Sequence, residues 1–208
     1  MPPIFIKMVT FKYNKKIDNE CWNRIIKAQS MFGHDFPTAF SISEKDMTEA
    51  KNKTNKFQKI WDIYDKKYDF DEGIKKIYQH PFPKNIICFI NTSPYSMDNF
   101  AKNYISVSMK RDTPQKIITT TIHEASHFIF RKYYTNFCHR IGCNKEDVEN
   151  IKEIITVINN FVFPGISDFG WKTHSDFREK IIKIWQKTKN IEKSIVQAKK
   201  LLDENPIS

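Results

Sequence analysis

A pair of histidines within a helical pattern constrains the fold of this chain more than any other feature. His123 and His127 are four residues apart, so in a helix their side chains project from one face about one turn from each other. The apolar residues of the same segment recur three or four positions apart, at Ile118, Ile122, Ala125 and Ile129. Thr113 and Pro114 suit the N-cap and the first helical position. The pattern predicts a helix that packs through one face and turns its histidines toward a cleft.

The five residues HEASH, from 123 to 127, add the chemistry of a metal site. Two neutral imidazoles at this spacing can hold one zinc ion at about 2.0 to 2.1 Å, and a catalytic zinc keeps its fourth position for water. Glu124 projects about 100° around the helix from His123, where its carboxylate can take a proton from that water. We therefore predict a metallohydrolase site with one Zn²⁺, with His123 and His127 as ligands and Glu124 as general base.

The third protein ligand is expected on a later helix, between residues 145 and 160. The glutamates of this segment include Glu149 and Glu153. Glu153 lies mid-helix among isoleucines, where an ionised carboxylate is costly unless a cation compensates it. Glu149 falls in the first turns, where carboxylates are common because they complement the helix N-terminus. We predict Glu153 as the third ligand, with Glu149 as the next candidate and Asp168 or His174 behind it.

These features resemble those of the zincin metallopeptidases, and specifically of small gluzincin-type peptidases. The resemblance rests on HEASH at 123 to 127, on a predicted strand at about 103 to 110 directly before that helix, and on the later helix with its glutamates. The metzincin pattern needs a glycine and a third histidine soon after the motif, and residues 128 to 133 contain neither. The resemblance implies a zincin-like α+β fold, in which a small twisted sheet lies over the active-site helix and a helical C-terminal lobe lies below it.

The resemblance also implies where a peptide substrate and the oxyanion of the reaction would bind. In such enzymes an extended peptide pairs with the edge strand of the sheet. We expect peptide main chain to bind along the strand at Tyr104, Ile105, Ser106 and Val107. Zincins commonly stabilise the oxyanion with a histidine or a tyrosine, for which His174 and Tyr133 are the candidates. The alternative role of His174 is to cap or orient neighbouring helices.

Length predicts a single domain over residues 1–208, because a chain of this size can bury one well-packed core. Strands and helices alternate over about residues 1–130, which we predict as an α/β upper part that includes the active-site helix. The remainder, about residues 131–208, shows helical patterns alone and is predicted as a helical lower part.

Several individual elements follow from periodicity and from turn residues. A period-two pattern predicts an N-terminal strand within residues 3–13. The short apolar run NIICFIN, residues 85–91, is typical of a buried strand. A first helix is predicted from Asn19 to about Met31, with Asp18 as its N-cap. Two helices are predicted between Glu44 and Tyr78, with a break near Asp69. Further helices are predicted from about Lys145 to Asn160 and from about Ser175 to Leu202, the latter with a break near Asn190.

Composition indicates an ordered globular protein and limits its partners. The chain is 40% hydrophobic and 28% charged, with a net charge of +10. Its lysines are scattered among Asn and Ile rather than concentrated in a stripe, so a nucleic-acid partner is not favoured over a peptide or protein substrate. The sequence contains neither a signal-peptide core nor a run of about 18 apolar residues, so we expect a cytoplasmic protein with no membrane partner.

The four cysteines favour neither a zinc ribbon nor a redox motif. Cys21, Cys88, Cys138 and Cys143 include no pair at the CxxC spacing. We predict that they are buried or free thiols in a reducing compartment. The metal site is therefore expected to use histidine and carboxylate ligands.

Two alternative functions remain open at the level of sequence. A basic zincin could cleave proteins crosslinked to DNA, as proteases of the SprT group do, although the absence of a paired-cysteine zinc ribbon counts against it. A non-catalytic or latent zinc-binding regulatory module is the second alternative, and a structural zinc is normally closed by four protein ligands. In a latent enzyme the C-terminal residues 203–208 would fold back across the zinc.

Overall fold

The computed structural model describes residues 8–27, 41–161 and 174–205. The strands are β1 (Val9–Tyr13), β2 (Ile86–Asn91), β3 (Met97–Asn99) and β4 (Tyr104–Ser108). The helices are α1 (Lys15–Lys27), α2 (Glu44–Tyr68), α3 (Phe70–Tyr78), α4 (Pro114–Tyr133), α5 (Thr135–Arg140), α6 (Lys145–Ile155), α7 (Ser175–Thr188) and α8 (Ile191–Glu204), with a 3₁₀ helix at Thr156–Phe161. The predicted α+β class is confirmed. Across these ranges, no helix has both the length and the apolar composition that crossing a membrane requires.

The chain divides into two compact units, and the division falls inside helix α4. The first unit comprises Met1–Lys67 and Lys84–Glu124 and contains the sheet. The second comprises Tyr68–Pro83 and Ala125–Ser208 and contains α3 and the helices that follow α4. The motif HEASH therefore spans the division on one continuous helix.

The sheet of the first unit is mixed, with the strand order β1-β2-β4-β3. Strands β1, β2 and β4 run parallel, with Val9 opposite Ile86 and Cys88 opposite Ile105. The short strand β3 pairs antiparallel with β4 at the end of the sheet. The predicted strands at NIICFIN and within residues 3–13 are confirmed as β2 and β1, while residues 1–7 lie outside the described part.

The prediction that residues 103–110 form a cleft-edge strand is wrong. This segment does contain a strand, β4, but β4 pairs with β2 on one side and with β3 on the other. All of its residues are buried, including the predicted substrate-binding residues Tyr104, Ile105, Ser106 and Val107. The polar positions do not mark a wet face, because the Ser106 hydroxyl accepts a hydrogen bond from Cys21 Sγ at 3.3 Å inside the protein. Main-chain pairing with a substrate is thus not available along this strand.

Helix α1 begins four residues earlier than predicted, at Lys15. The side-chain oxygen of Asn14 accepts hydrogen bonds from two backbone amides of the first turn, at 2.9 and 3.2 Å. Asp18, the predicted cap, is instead buried, and its Oδ1 accepts hydrogen bonds from the amide and the hydroxyl of Thr92 at 2.9 and 3.1 Å. The prediction of Asp18 as N-cap is therefore wrong, and its carboxylate joins α1 to the end of β2.

The predicted breaks between helices are confirmed. Asp69 adopts a left-handed conformation with φ of 49°, and its side chain accepts a hydrogen bond from the amide three residues on, which starts α3. Asn190 caps α8 in the same way. Helix α6 begins at Lys145, as predicted, but the α-helix ends at Ile155 and continues as a 3₁₀ helix, whereas an α-helix to Asn160 was predicted.

In the second unit, α6 packs against both α7 and α8. The isoleucines that form this core, each at most 1% exposed, are Ile151, Ile155, Ile158, Ile181 and Ile195. Lys199 on α8 also pairs with Asp147 on α6, with Nζ and Oδ2 3.5 Å apart. These contacts fix the orientation of α6 within the unit, and with it the positions of Glu149 and Glu153.

Candidate metal centre

Helix α4 carries the HEASH motif, and both its start and its buried face are those predicted. Thr113 Oγ1 accepts a hydrogen bond from the amide three residues on, at 3.2 Å, and Pro114 is the first helical residue, so the predicted start is confirmed. The predicted apolar face is buried at Ile118, Ile122, Ala125 and Ile129. His123, Glu124 and His127 are only 9%, 6% and 2% exposed. The helix thus holds its polar motif inside the protein.

Three potential metal ligands come from two helices. His123 and His127 lie one turn apart on the continuous helix α4, and Glu153 lies on α6. Within the second unit, His127 Nε2 is 3.5 Å from Glu153 Oε1. Two ligands of a tetrahedral zinc, each bonded at about 2.0 to 2.1 Å, lie about 3.4 Å apart, so this separation suits a shared ion. Two imidazoles and one carboxylate also form a donor set that catalytic zinc sites use.

Glu124 lies next to a second carboxylate in the first unit. A carboxylate oxygen of Asp98, in β3, is within 4.8 Å of a carboxylate oxygen of Glu124, and Asp98 is itself buried. The Cys88 thiol on β2 is also near: burial raises its pKa well above the usual value, and the charge of Glu124 raises this pKa further. The proposed general base therefore lies beside the antiparallel edge strand of the sheet.

Glu153 is held through both its side chain and its backbone. Its Oε1 lies 3.1 Å from the Lys152 Nζ. Its carbonyl oxygen accepts hydrogen bonds from Arg178 on α7 and from the Thr156 hydroxyl, each at 2.8 Å. The sequence argument required a cation to compensate the carboxylate, and Lys152 supplies one. The part-buried position of Glu153 therefore does not by itself require a metal, and the case for a metal rests on the two histidines of α4.

Glu149, the second candidate ligand, is held by ion pairs. Arg131 donates hydrogen bonds to both of its carboxylate oxygens, at 2.7 and 2.9 Å, and Lys152 Nζ lies 3.2 Å from Oε2. Burial raises the pKa of the Glu149 carboxyl, but the hydrogen bonds from Arg131 and the nearby positive charges outweigh burial, so the pKa lies below its ordinary value. In the described ranges, the clusters of potential ligands include Glu153 and not Glu149.

Comparison of the chain with known proteins found no relative. No protein family, no curated protein and no solved structure matches the chain. The resemblance to zincins consequently rests on the residues of the chain itself. These are HEASH on α4, the strand β4 that precedes it, and Glu153 on α6.

The two candidate oxyanion donors have other contacts within the second unit. His174 is buried directly before α7, with Nε2 3.2 Å from Asn150 Oδ1 on α6. Tyr133 is the last residue of α4, and its ring stacks on the ring of His80 with the centroids 3.6 Å apart. The oxyanion role of either residue stays a prediction. Asp168, the more distant candidate ligand, lies outside the described residues.

Arg131 and Lys152 are charged residues near the site that the sequence analysis missed. Arg131 follows His127 by four residues, and Glu149 precedes Glu153 by four residues. This matched spacing was a signal for two neighbouring helices that run in opposite directions, because each helix then contributes one residue per turn to the shared face. No pattern in the sequence indicates that Lys152 is buried, because lysine is almost never buried unless it is paired.

The cysteines are buried free thiols, as predicted. Burial raises the pKa of Cys21 to about 11 and that of Cys138 to about 12, so both thiols are protonated at neutral pH. Since the thiolate is the form that binds metal, neither is a good ligand in its environment. The imidazole and carboxylate groups remain the better candidates for a metal site.

Proposed function

We propose that this chain is a zinc-dependent metallohydrolase with a zincin-like fold, acting as a peptidase on peptide or protein substrates. One observation carries the proposal: His127 Nε2 lies 3.5 Å from Glu153 Oε1, and His123 and the buried Glu124 lie on the same continuous helix as His127. Two histidines one turn apart with an adjacent glutamate are the arrangement that such hydrolysis needs.

The proposed roles divide between ligands and base. A zinc ion held by these three residues would supply Lewis acidity and lower the pKa of its bound water to about 7. The Glu124 carboxylate accepts the proton of the attacking water and returns it to the leaving amine. The low exposure of Glu124 limits the access of bulk water to this carboxylate.

The proposal assigns no main-chain substrate contact to the sheet. Strand β4 is paired on both sides. In β3 (Met97–Asn99), which ends the sheet order, the Asp98 carbonyl already accepts a hydrogen bond from Arg24 at 2.8 Å.

A non-catalytic module is the second candidate, and one contact favours it. Lys152 Nζ lies 3.1 Å from Glu153 Oε1, so the carboxylate has a cationic partner without any metal. In that case the His127 and Glu153 pair would be part of a structural charge network. The two candidates differ in metal content, because a purely structural network needs no zinc.

The test couples metal analysis to a proteolysis assay. Protein purified without added metal is analysed for zinc and assayed on a mixture of quenched fluorescent peptides, before and after chelation and zinc re-addition. We expect about one zinc per chain, and hydrolysis that chelation abolishes and zinc restores. Glu124→Gln should keep its zinc, because the ligands are unchanged, and lose about 10² to 10⁴ in rate through loss of the base.

Three further variants complete this test. Glu146→Gln, on an exposed residue of α6, is the matched control and should behave as wild type. His123→Ala and His127→Ala should each lose zinc. Wild-type hydrolysis in Glu124→Gln, or full zinc occupancy in either histidine variant, contradicts the proposed mechanism. Folded wild-type protein that takes up no zinc favours the non-catalytic candidate.

A further inference from the structure

Lys152 is a buried lysine between two carboxylates of α6. Only 5% of the residue is exposed, and its Nζ lies 3.1 Å from Glu153 Oε1 and 3.2 Å from Glu149 Oε2. A lysine buried to this extent requires its charge to be paired. Its ammonium group therefore belongs to the charge balance of the candidate metal centre.

The lysine connects two pairs of residues that join α4 to α6. His127 faces Glu153 in one pair, and one turn further along α4, Arg131 binds Glu149 through two hydrogen bonds in the other. Lys152 contacts the carboxylates of both pairs. The two cations and the two carboxylates of this group sum to zero, so the cluster is neutral before any metal binds. This group of four residues therefore adds no net negative charge that would attract zinc to Glu153.

We propose that Lys152 is the resident counter-cation of Glu153 and has two opposite effects on this site. In protein without bound metal, the ammonium compensates the part-buried carboxylate of Glu153, so folding of the second unit does not depend on a metal. When a metal cation occupies the site, the ammonium on the same carboxylate repels it, so the metal binds less tightly than to the same ligands without Lys152. This inference rests on the proposed zinc site.

The consequence is a metal site whose loading is separated from folding. In many small metalloproteins the ligands assemble only on binding, so the free energy of metal binding is also the free energy of folding. Here the carboxylate of Glu153 is already paired with Lys152, and its backbone carbonyl is bound by Arg178. Chelation is then expected to remove zinc and leave a folded protein that reloads readily.

The experiment compares Lys152→Met with wild type in two measurements. Urea unfolding in the presence of a chelator reports the stability of metal-free protein, and competition with a chromophoric chelator reports the zinc dissociation constant. Lys152→Met should unfold at lower urea concentration and bind zinc at least about tenfold more tightly, because a positive charge near the ion is gone. Lys152→Arg keeps the charge and should stay close to wild type in both. Lys145→Met, on an exposed lysine of the same helix, should change neither.

The outcomes separate this inference from the proposed function. Weaker zinc binding by Lys152→Met would show that the lysine only orients the carboxylate, and an unchanged unfolding midpoint would overturn its role in folding. If Lys152→Met does not fold, the double variant Lys152→Met/Glu153→Gln, which also removes the carboxylate charge, should recover stability, and failure to do so overturns the inference. Wild-type protein that binds no zinc overturns the proposed function and the metal-binding half of the inference, while unfolding still tests the other half.

Discussion

His127 Nε2 lies 3.5 Å from Glu153 Oε1, and this contact joins α4 to α6 through residues that are 26 positions apart in the chain (153 − 127). The distance suits two ligands of one tetrahedral ion. The neighbouring carboxylate, Glu149, binds Arg131 instead. Of the two glutamates that lie one turn apart on α6, this contact therefore favours Glu153 as the candidate ligand.

The first prediction concerns this distinction. We expect Glu153→Ala to weaken zinc binding by about 100-fold or more, because loss of an outer-shell group alone costs up to about that factor and Glu153 is proposed as a direct ligand. Glu149→Ala is the matched control and should stay within about tenfold of wild type. A metal titration of both variants decides the question. Tight zinc binding by Glu153→Ala together with loss of binding by Glu149→Ala would move the ligand one turn toward the N-terminus.

The second prediction separates the two roles of His174. Its Nε2 lies 3.2 Å from Asn150 Oδ1, so we expect His174→Ala to lower the free energy of unfolding by about 1 to 3 kcal/mol, as loss of a buried hydrogen bond does. We expect kcat/KM to fall by less than about tenfold, because the contact supports α6 rather than a substrate. Chemical unfolding and peptide kinetics measure the two effects. A fall of about 100-fold in a stable variant would instead support the oxyanion role.

The third prediction is a pH dependence of stability caused by Asp18. Burial raises the pKa of this carboxyl above its ordinary value, although hydrogen bonds from Thr92 lower the pKa in part. A carboxyl whose pKa is higher in the folded protein contributes stability below about pH 4, and that contribution is lost as the pH rises through the folded pKa. The free energy of unfolding of wild type, minus that of Asp18→Asn, should therefore decrease between pH 4 and pH 7. A difference that stays constant or grows in urea unfolding at these two pH values would contradict this account.

The fourth prediction tests the buried face of α4. Ile129 is 1% exposed, so Ile129→Ala should lower the free energy of unfolding by about 2 to 5 kcal/mol through lost burial and a cavity. Ile63, which is 64% exposed on α2, provides the control, and Ile63→Ala should change the free energy by less than about 0.5 kcal/mol. Equal effects of the two substitutions would mean that this face of α4 is not part of the core.

The sequence by itself determined the local elements. The helix that bears HEASH, the strand at β2 and the helix break at Asp69 were all predicted, because apolar periodicity and capping residues act over a few positions. The preference for Glu153 over Glu149 also came from local reasoning, since a carboxylate among isoleucines requires a charge partner. The structure brings Glu153 to His127, while its binding of a metal remains a proposal.

Only the tertiary structure decided which partners those local elements meet. The alternation in β4 suits an edge strand and a central strand equally, and the three-residue strand β3 that covers it carries no periodic signal. Asp18 has the chemistry of an N-cap, yet it binds Thr92, which is 74 residues away. Lys152 is buried beside Glu149 and Glu153 of its own helix, and no local pattern in the sequence indicates this burial. For β4 and Asp18 the deciding interaction joins residues far apart in the chain, and spacing along the sequence does not encode which distant group a side chain will meet.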